Sequence, residues 1–229
     1  MLEFRAIPQT RLSGPAAPRH AHREPYAALV LEGGYEEAGE AGRWRVEPGE
    51  VVCHAPFACH VNWLPSRTVR VLNLPLPAWT GPSAVLRVDD PDLLLRLAKR
   101  DPRAAADALL AIPAVAAPAR QDAPDLLAEQ LTAAPPALRD WAAARGVCRQ
   151  TAFRWFRAAY GVSPARFRVE ARARSAWRRL VESRAPLAEV ALEAGFADQP
   201  HMSREVKAFT GLTPRQWRER SLQPSSLQP

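Results

Sequence analysis

Short apolar runs separated by glycine and proline dominate the chain from Phe4 to Val88. In order, the clearest runs are Tyr26–Leu31, Trp44–Val46, Val51–Cys53 and Val69–Leu74, with Gly33-Gly34 and Pro48-Gly49 between them. Runs of this length that end at turn residues are typical of β-strands. The pattern therefore predicts a sandwich or barrel of strands over residues 1–88.

Between residues 89 and 135 the composition changes to alanine, leucine, proline and aspartate. Asp-Pro and Pro-Asp steps suit a first helical turn and predict helices over Asp92–Lys99 and Arg103–Leu110. A linker is then predicted from three prolines, Pro113, Pro118 and Pro124. The apolar stripe of the first helix, formed by Leu93, Leu94 and Leu97, is expected to pack on the N-terminal domain or on its twin in a dimer.

From Pro136 onward the apolar positions follow helical spacing and fall into two similar units. The predicted helices are Ala137–Ala144, Arg149–Tyr160, Pro164–Ser183, Leu187–Ala194 and Gln199–Thr210. The residues that end the second helix of each unit repeat ~50 residues apart as Tyr160-Gly161-Val162-Ser163-Pro164 and Thr210-Gly211-Leu212-Thr213-Pro214. This repeat predicts two helix-turn-helix units over residues 136–220, followed by a disordered tail over 221–229.

Charge follows the same division of the chain. The net charge is +7, but residues 1–135 hold 14 basic and 16 acidic residues, whereas residues 136–229 hold 17 basic and 8 acidic residues. A segregated basic segment is typical of a protein that binds a polyanion, most often nucleic acid. A solvated arginine-rich face without a partner is the alternative.

The length of the helix that joins the two units is close to the spacing of major grooves in DNA. In a helix-turn-helix unit the second helix lies in the major groove of DNA and the first helix braces it. A connecting helix of about 20 residues at ~1.5 Å per residue spans roughly 30 Å. Successive major-groove faces of B-DNA lie ~34 Å apart, so one chain is expected to read two adjacent major grooves of double-stranded DNA.

A long ordered pattern in the second unit identifies a family resemblance. The residues that carry it are Leu187-Ala188-Glu189-Val190-Ala191-Leu192-Glu193-Ala194-Gly195-Phe196-Ala197-Asp198-Gln199, His201-Met202-Ser203-Arg204, Lys207 and Gly211-Leu212-Thr213-Pro214. The pattern resembles the C-terminal signature of AraC-type transcription regulators. The resemblance implies a sequence-specific, effector-responsive regulator that acts as a homodimer with RNA polymerase as a partner. It also implies that base contacts fall on Gln150, Phe153, Arg154, Pro200, His201, Ser203 and Arg204.

Side-chain chemistry agrees with part of this set. Arg154 and Arg204 have the planar fork that binds guanine, and Gln150 has the amide that pairs with adenine. Phe153 contacts either a thymine methyl group or the protein core, whereas Pro200 has no donor and opens its helix. Two further candidates, His201 and Ser203, are either donors to DNA or ordinary exposed surface. Phosphate contacts are expected from Arg149, Thr151, Arg157 and Lys207.

The first unit departs from the family pattern in two places. Cys148 is a poorer helix N-cap than serine, and Ala152 supplies less apolar volume than leucine. Large side chains are expected to fill that space, namely Trp141, Trp155, Phe156 and Trp177. The second unit is therefore predicted to be the better formed.

Histidines in the N-terminal domain suggest a small-molecule or metal site. A His20-x-His22 strand would place both imidazoles on one face, and Pro48-Gly49-Glu50 is followed by His60. The arrangement resembles the motifs of cupins, so the predicted fold class is α+β with two domains: an N-terminal cupin-like β-barrel and a C-terminal all-α domain. The boundaries are 1–88 for the sensing domain and 89–135 for the linker and dimerisation helices.

Three interpretations of these histidines stay open. His20, His22 and His60 bind a divalent metal such as Fe, Mn, Ni or Zn, or they line a metal-free pocket for an organic effector, or they are structural. The metal interpretation lacks its usual acidic ligand, because Glu24 comes too early. The candidate effector pocket comprises His20, His22, His60, Trp44, Asn62 and Tyr26. Nearby Cys53, His54 and Cys59 are more readily explained as buried residues than as ligands.

The sequence also bears on other classes of protein. No apolar stretch is long enough for a transmembrane span, and Met1–Arg5 has charge without an apolar segment behind it, which favours a cytoplasmic protein with reduced cysteines. A phosphate-binding loop, a Gly-x-Ser-x-Gly elbow and a Cys-x-x-Cys pair are missing, so an enzyme is not expected. The alternatives are a metal-dependent cupin enzyme fused to a DNA-binding domain and an architectural DNA-binding protein without sequence preference.

Overall fold

The computed structural model describes residues 9–11, 17–64, 68–76, 79, 81–112, 119–133 and 135–222. The strands in this part of the chain are β1 Gln9–Arg11, β2 Ala17–His20, β3 Tyr26–Glu32, β4 Tyr35–Gly39, β5 Gly42–Val46, β6 Glu50–His54, β7 His60–Trp63, β8 Val69–Pro75 and β9 Ala84–Arg87. They form two antiparallel sheets, in the orders β1-β8-β3-β6-β9 and β2-β7-β4-β5. The predicted α+β fold class is confirmed.

The two sheets face each other across an apolar core. Because side chains alternate along a strand, β3 serves two layers: Val30 joins the core between the sheets, whereas Ala27 and Leu29 point to the other face. Trp44 and Val46 of β5 meet Val30 in the inter-sheet core. The near-continuous apolar composition of β3 is explained by burial on both faces.

Two helices cover the outer face of the five-stranded sheet. These are α1 Pro91–Arg100 and α2 Pro102–Leu110, each begun by an aspartate N-cap and a proline. Leu94 is buried and Leu97 packs against the same core, which confirms the expected packing on the N-terminal domain for these two residues. Leu93 points away and is 43% exposed.

A third helix, α3 Ala123–Ala133, lies where the sequence predicts only a linker. Pro124 falls in its first turn, where proline's missing N–H costs nothing, so the proline begins a helix instead of preventing one. The chain before it runs along β5, since the Arg120 N–H donates to the Arg43 carbonyl over 2.8 Å. Pro113 and Pro118 of the predicted linker lie outside the described residues.

The remaining helices are α4 Leu138–Ala143, α5 Arg149–Tyr160, α6 Pro164–Glu182, α7 Leu187–Glu193, α8 Gln199–Thr210 and α9 Pro214–Leu222. The first five confirm the predicted helices, with α5 and α8 at the predicted bounds. The apolar side of α6 uses Phe167, Ala171, Ala176 and Leu180, and Ser175 is exposed. The sequence did not predict α9. Ser221 and Leu222 complete it, and the rest of the predicted tail lies outside the described residues.

The chain folds as two compact bodies. One body comprises residues 1–130 and 136–163, and the other comprises residues 131–135 and 164–229. The first body therefore contains both sheets together with α4 and α5. Within the described residues, no helix is long and apolar enough to cross a membrane.

Candidate nucleic-acid interface and histidine cluster

The helix α5 presents a polar face that contains the predicted base contacts. Gln150 and Arg154 are exposed on it, one turn apart. The opposite face is buried through Ala152 and Phe156. Phe153 is half-buried, which fits both a contact with a thymine methyl group and a contact with the protein core. The candidate phosphate contacts are also accessible, with Arg149 and Arg157 exposed and Thr151 half-buried.

The helix α8 repeats this arrangement. Arg204 and Lys207 are exposed, and Met202 and Val206 are buried on the opposite face. Both helices have 12 residues and end at a glycine in the left-handed conformation, with φ of 72° at Gly161 and 81° at Gly211. Such a φ is strained for residues other than glycine, which explains why the repeated Gly is a good stop signal.

Three further candidates of α8 are arranged around its first turn. Pro200 is exposed at the helix start, and Ser203 is half-buried. The His201 ring makes a T-shaped contact with Phe196 at 5.2 Å between centroids. Its Nε2 lies 4.0 Å from Oε1 of Glu205. His201 is thus held in place, with its side chain partly accessible.

The two helices differ in how they begin. The Asp198 carboxylate caps α8 by accepting a 2.7 Å hydrogen bond from the His201 N–H. Cys148 stands at the N-cap of α5 and makes no such bond to the backbone. Its Sγ instead lies 3.2 Å from the Thr151 hydroxyl, and hydrogen bonding with Thr151 lowers the pKa of the thiol. The prediction of a poorer cap in the first unit is confirmed.

The expectation that four aromatic side chains fill the first unit is partly wrong. Trp141 and Phe156 are buried, but Trp155 is 41% exposed because it lies on the outer side of α5. Trp177 packs instead against Trp217 of α9, with 5.8 Å between the ring centroids.

Four histidines and one tyrosine lie close together, contributed by strands of both sheets and by the segment that follows β2. The rings of His20 and His54 each lie 4.4 Å from the ring of His60, and the His22 ring lies 5.5 Å from it. Tyr26 stacks on His54 at 4.3 Å. We call these five residues, together with Glu37, the histidine cluster.

The three predicted histidines do come together, but not for the predicted reason. β2 ends at His20, so His22 is not on the strand and the period-two argument is wrong for it. The chain turns after His20 and still brings the two rings to 4.9 Å. Glu50 of the cupin-like motif lies elsewhere. Its carboxylate accepts a 2.9 Å hydrogen bond from the Glu47 N–H and stabilises the preceding turn.

The sequence pattern did not point to Glu37, and it indicated that His54 is a buried residue. Both are buried, with exposures of 1% and 2%, and the His54 Nδ1 lies 3.6 Å from the Glu37 Oε1. Two overlapping donor sets result, His20–His22–His60 and Glu37–His54–His60, each with donor atoms within 4.8 Å of one another. A carboxylate of β4 therefore lies beside the histidines, at a position that depends on the strand register.

His60 is the residue shared by both sets. Burial, followed by the neighbouring His20, lowers its pKa to about 3. Its Nδ1 lies 3.1 Å from the Ala58 carbonyl, so a proton on Nδ1 is donated there and Nε2 faces the cluster, 3.3 Å from the Tyr26 hydroxyl. A neutral imidazole held in this way is typical of metal ligands.

The predicted effector pocket is only partly assembled. Tyr26 and Asn62 line an interior cavity with Tyr35 and Asn73, but its volume is about 10 Å³. That volume suits roughly one water molecule, whereas organic ligands occupy about 300 Å³ or more. Trp44 does not line it and belongs to the inter-sheet core.

Both cysteines of the N-terminal domain are buried thiols, as expected. Burial raises the pKa of Cys53 to about 12, and Cys59 is also buried. Among the described residues, neither belongs to a group that could hold a metal ion.

Residues 141–220 match a family model described as a helix-turn-helix domain. A comparison with curated proteins finds no match. Three solved structures illustrate the likeness. An AraC-type regulator from Chromobacterium violaceum is 27% identical over 45% of this chain and 91% of its own, with a TM-score of 0.38.

The DNA-binding domain of AdpA, solved with a target DNA, is 23% identical over 44% of this chain and 93% of its own, with a TM-score of 0.40. ToxT from Vibrio cholerae O395 is 9% identical over 95% of this chain and 99% of its own, with a TM-score of 0.41.

The family model and the paired helix-turn-helix units define the class of this part of the chain. The C-terminal region is a helix-turn-helix domain of the AraC type, a class of domain that binds DNA.

Proposed function

We propose that one chain reads two adjacent major grooves of a promoter, using α5 for one groove and α8 for the other. The observation that carries the proposal is the matching exposed face of two equally long helices, with Arg154 and Arg204 at equivalent positions. Each arginine binds O6 and N7 of a guanine, and Gln150 binds an adenine. Phe153, His201 and Ser203 add contacts to bases or backbone.

Other side chains on the same faces bind phosphate and carry no sequence information. They are Arg149, Thr151, Arg157 and Lys207, which flank the base-reading positions. The excess of basic residues after residue 135 supports this role, because each neutralised phosphate releases counterions and raises affinity.

The histidine cluster is the effector site, and a divalent transition-metal ion is the effector that fits it best. The cavity that Tyr26 and Asn62 line, at about 10 Å³, is too small for an organic molecule, whereas imidazole nitrogens and a carboxylate suit Fe, Mn, Ni or Zn. His20, His22 and His60 hold the ion, with Glu37 and His54 as the second set. A bound ion would cross-link strands of the four-stranded sheet.

Several partners follow from the regulator class. The protein acts in the cytoplasm with RNA polymerase, and it has no enzymatic activity. The chain forms a homodimer, and the exposed Leu93 of α1 and Leu110 of α2 support an interface on these helices.

The DNA proposal is tested by letting the protein select duplexes from a random library. Dissociation constants for a selected duplex and a scrambled duplex are then measured over a range of salt concentrations. We expect the selected duplex to bind at least ~10³-fold more tightly. Equal binding to both duplexes, with a steep salt dependence, would instead establish the architectural alternative.

The metal proposal is tested by equilibrium dialysis with Zn²⁺, Ni²⁺, Mn²⁺ and Fe²⁺. Wild type is expected to bind one ion per chain, and His22→Ala is expected to bind more weakly. His201→Ala is the matched control and keeps wild-type affinity. An oxygen-consumption assay on the iron-loaded protein checks the enzyme alternative, which sustained turnover would favour.

A further inference from the structure

The ends of the two recognition helices carry different side chains at matching positions. Thr210 precedes Gly211 in α8, and its hydroxyl accepts a 2.7 Å hydrogen bond from the indole Nε1 of Trp217 in α9. Tyr160 precedes Gly161 in α5, is fully buried, and donates its hydroxyl to Asp125 Oδ1 over 2.8 Å. The first helix-turn-helix unit is thus fastened to α3, outside its own helices.

The acceptor of this hydrogen bond belongs to a buried charged network. Arg43 of β5 binds the Asp125 carboxylate through two hydrogen bonds, of 3.2 Å from Nε and 3.1 Å from Nη2. Arg43 also pairs with Asp122. Two-point pairing fixes the orientation of both groups. Burial and the nearby Asp125 raise the pKa of Tyr160, so its hydroxyl remains a donor.

Strand β7 carries the histidine cluster on one face and contacts α5 with the other. His60 points into the cluster, and the alternation of side chains directs Val61 and Trp63 to the opposite face. The Trp63 indole Nε1 donates to the Ala159 carbonyl over 3.4 Å. A Cβ placed on Gly161 would lie 3.4 Å from Cγ2 of Val61, so the end of α5 lies directly against this strand.

Strand β2 has the same two-sided arrangement. His20 contributes its ring to the cluster. The adjacent Arg19 donates from Nη1 to the Ala38 carbonyl over 3.3 Å and to the Tyr160 carbonyl over 3.4 Å. Two strands that position cluster histidines therefore also hold the C-terminal end of the first recognition helix.

We propose that the contact between the four-stranded sheet and α5 couples the histidine cluster to the first half of the DNA site. The proposal rests on the proposed function and adds the route of regulation. Gln150 and Arg154 stay exposed in the docked helix, so the contact sets the position of the reading face without covering it. Coupling between two sites is reciprocal, and DNA bound to α5 must therefore change the cluster.

The five histidines of the chain make this coupling measurable. Four lie in the cluster, and His201 lies on α8. NMR spectra of protein labelled only at histidine are recorded with and without a duplex that the protein has selected. In wild type, DNA is expected to shift the His201 resonance directly and the His20 and His60 resonances through the coupling. In the variant Trp63→Phe/Tyr160→Phe, only His201 is expected to shift.

A matched control removes an indole hydrogen bond elsewhere in the same domain. Trp79 donates to the Pro82 carbonyl over 3.2 Å, and Trp79→Phe is expected to behave as wild type. If the double variant does not fold, Trp63→Phe alone replaces it and is expected to show a smaller shift at the cluster than wild type.

Two results would overturn the coupling while leaving the proposed function intact. One is a wild-type spectrum in which DNA shifts His201 and leaves the cluster unchanged. The other is an equal shift of the cluster in wild type and in the variants that alter Trp63. A protein that selects no duplex would overturn the proposed DNA reading itself, and the coupling with it.

Discussion

The two helix-turn-helix units present matching exposed faces and differ in what supports them. α5 and α8 have equal lengths, equivalent exposed arginines and the same glycine stop. The second unit is held by its own elements, through the Asp198 cap and the bond between Thr210 and Trp217. The first lacks the cap and takes its support from the β-domain through Tyr160. The two similar units thus present matching faces, and the first is attached to the β-domain and α3 through Ala159 and Tyr160.

Removing the Asp125 carboxylate should have the largest effect, because it removes support from the first helix-turn-helix unit and leaves the second unchanged. Asp125→Ala removes the two-point partner of Arg43 and the acceptor of the Tyr160 hydroxyl but keeps the pair with Asp122, so it is expected to destabilise the first unit by about 3 kcal/mol. Thr210→Val, at the corresponding support of the second unit, should cost only ~1 kcal/mol. Urea denaturation followed by tryptophan fluorescence measures both.

Asp140→Ala is the control for loss of a carboxylate, because the pair that Asp140 forms with Arg139 is exposed. Its expected effect is close to zero. Equal destabilisation by Asp125→Ala and Asp140→Ala would show that the buried network does not support the first unit.

Alanine at the two equivalent arginines should separate the halves of the DNA site. Arg154→Ala and Arg204→Ala are each expected to weaken binding by about 1–3 kcal/mol. Base substitutions in the selected duplex should show each loss at a different half of the site. Lysine at either position keeps the charge but loses the two-point contact, so specificity for guanine should fall more than overall affinity. If both variants lost base specificity at the same base pair, Arg154 and Arg204 could not contact different halves of the site.

Acid should lower the free energy of unfolding of the β-domain, because His60 in the histidine cluster resists protonation. His60 has a pKa of about 3 in the folded protein against 6.5 ordinarily, so the unfolded chain binds more protons between these values. Stability must then fall as the pH drops from about 6.5 toward 3, by at most ~1.4 kcal/mol per pH unit for this residue. His60→Asn should flatten the slope of unfolding free energy against pH in this window. An unchanged slope would mean that His60 titrates normally in the folded protein.

The smallest expected effect is at the helix starts. Asp198→Ala should cost ~1 kcal/mol by removing the cap of α8, and Cys148→Ser should stabilise α5 by up to ~1 kcal/mol. Thermal unfolding followed by circular dichroism reports both changes. A loss of stability in Cys148→Ser would show that the contact between Cys148 and Thr151 is worth more than a backbone cap.

Local signals in the sequence were sufficient to predict where α5 and α8 begin and end. Gly161 and Gly211 end α5 and α8 as predicted, because a left-handed residue is a short-range requirement. The prolines before α3 were misinterpreted, because Pro124 suits a first turn as well as a linker. The N-terminal site could be predicted only in part. Glu37 enters the histidine cluster through pairing of β4 with β7, and a strand register depends on contacts far along the chain.

Hydroxyl-radical footprinting of the wild-type protein on a selected duplex tests the central claim most directly. The proposal that α5 and α8 read adjacent major grooves predicts two protected segments per chain, centred about 10 base pairs apart on one face of the duplex. A single protected segment per chain would contradict the account, since it would mean that only one of the two matching faces binds DNA.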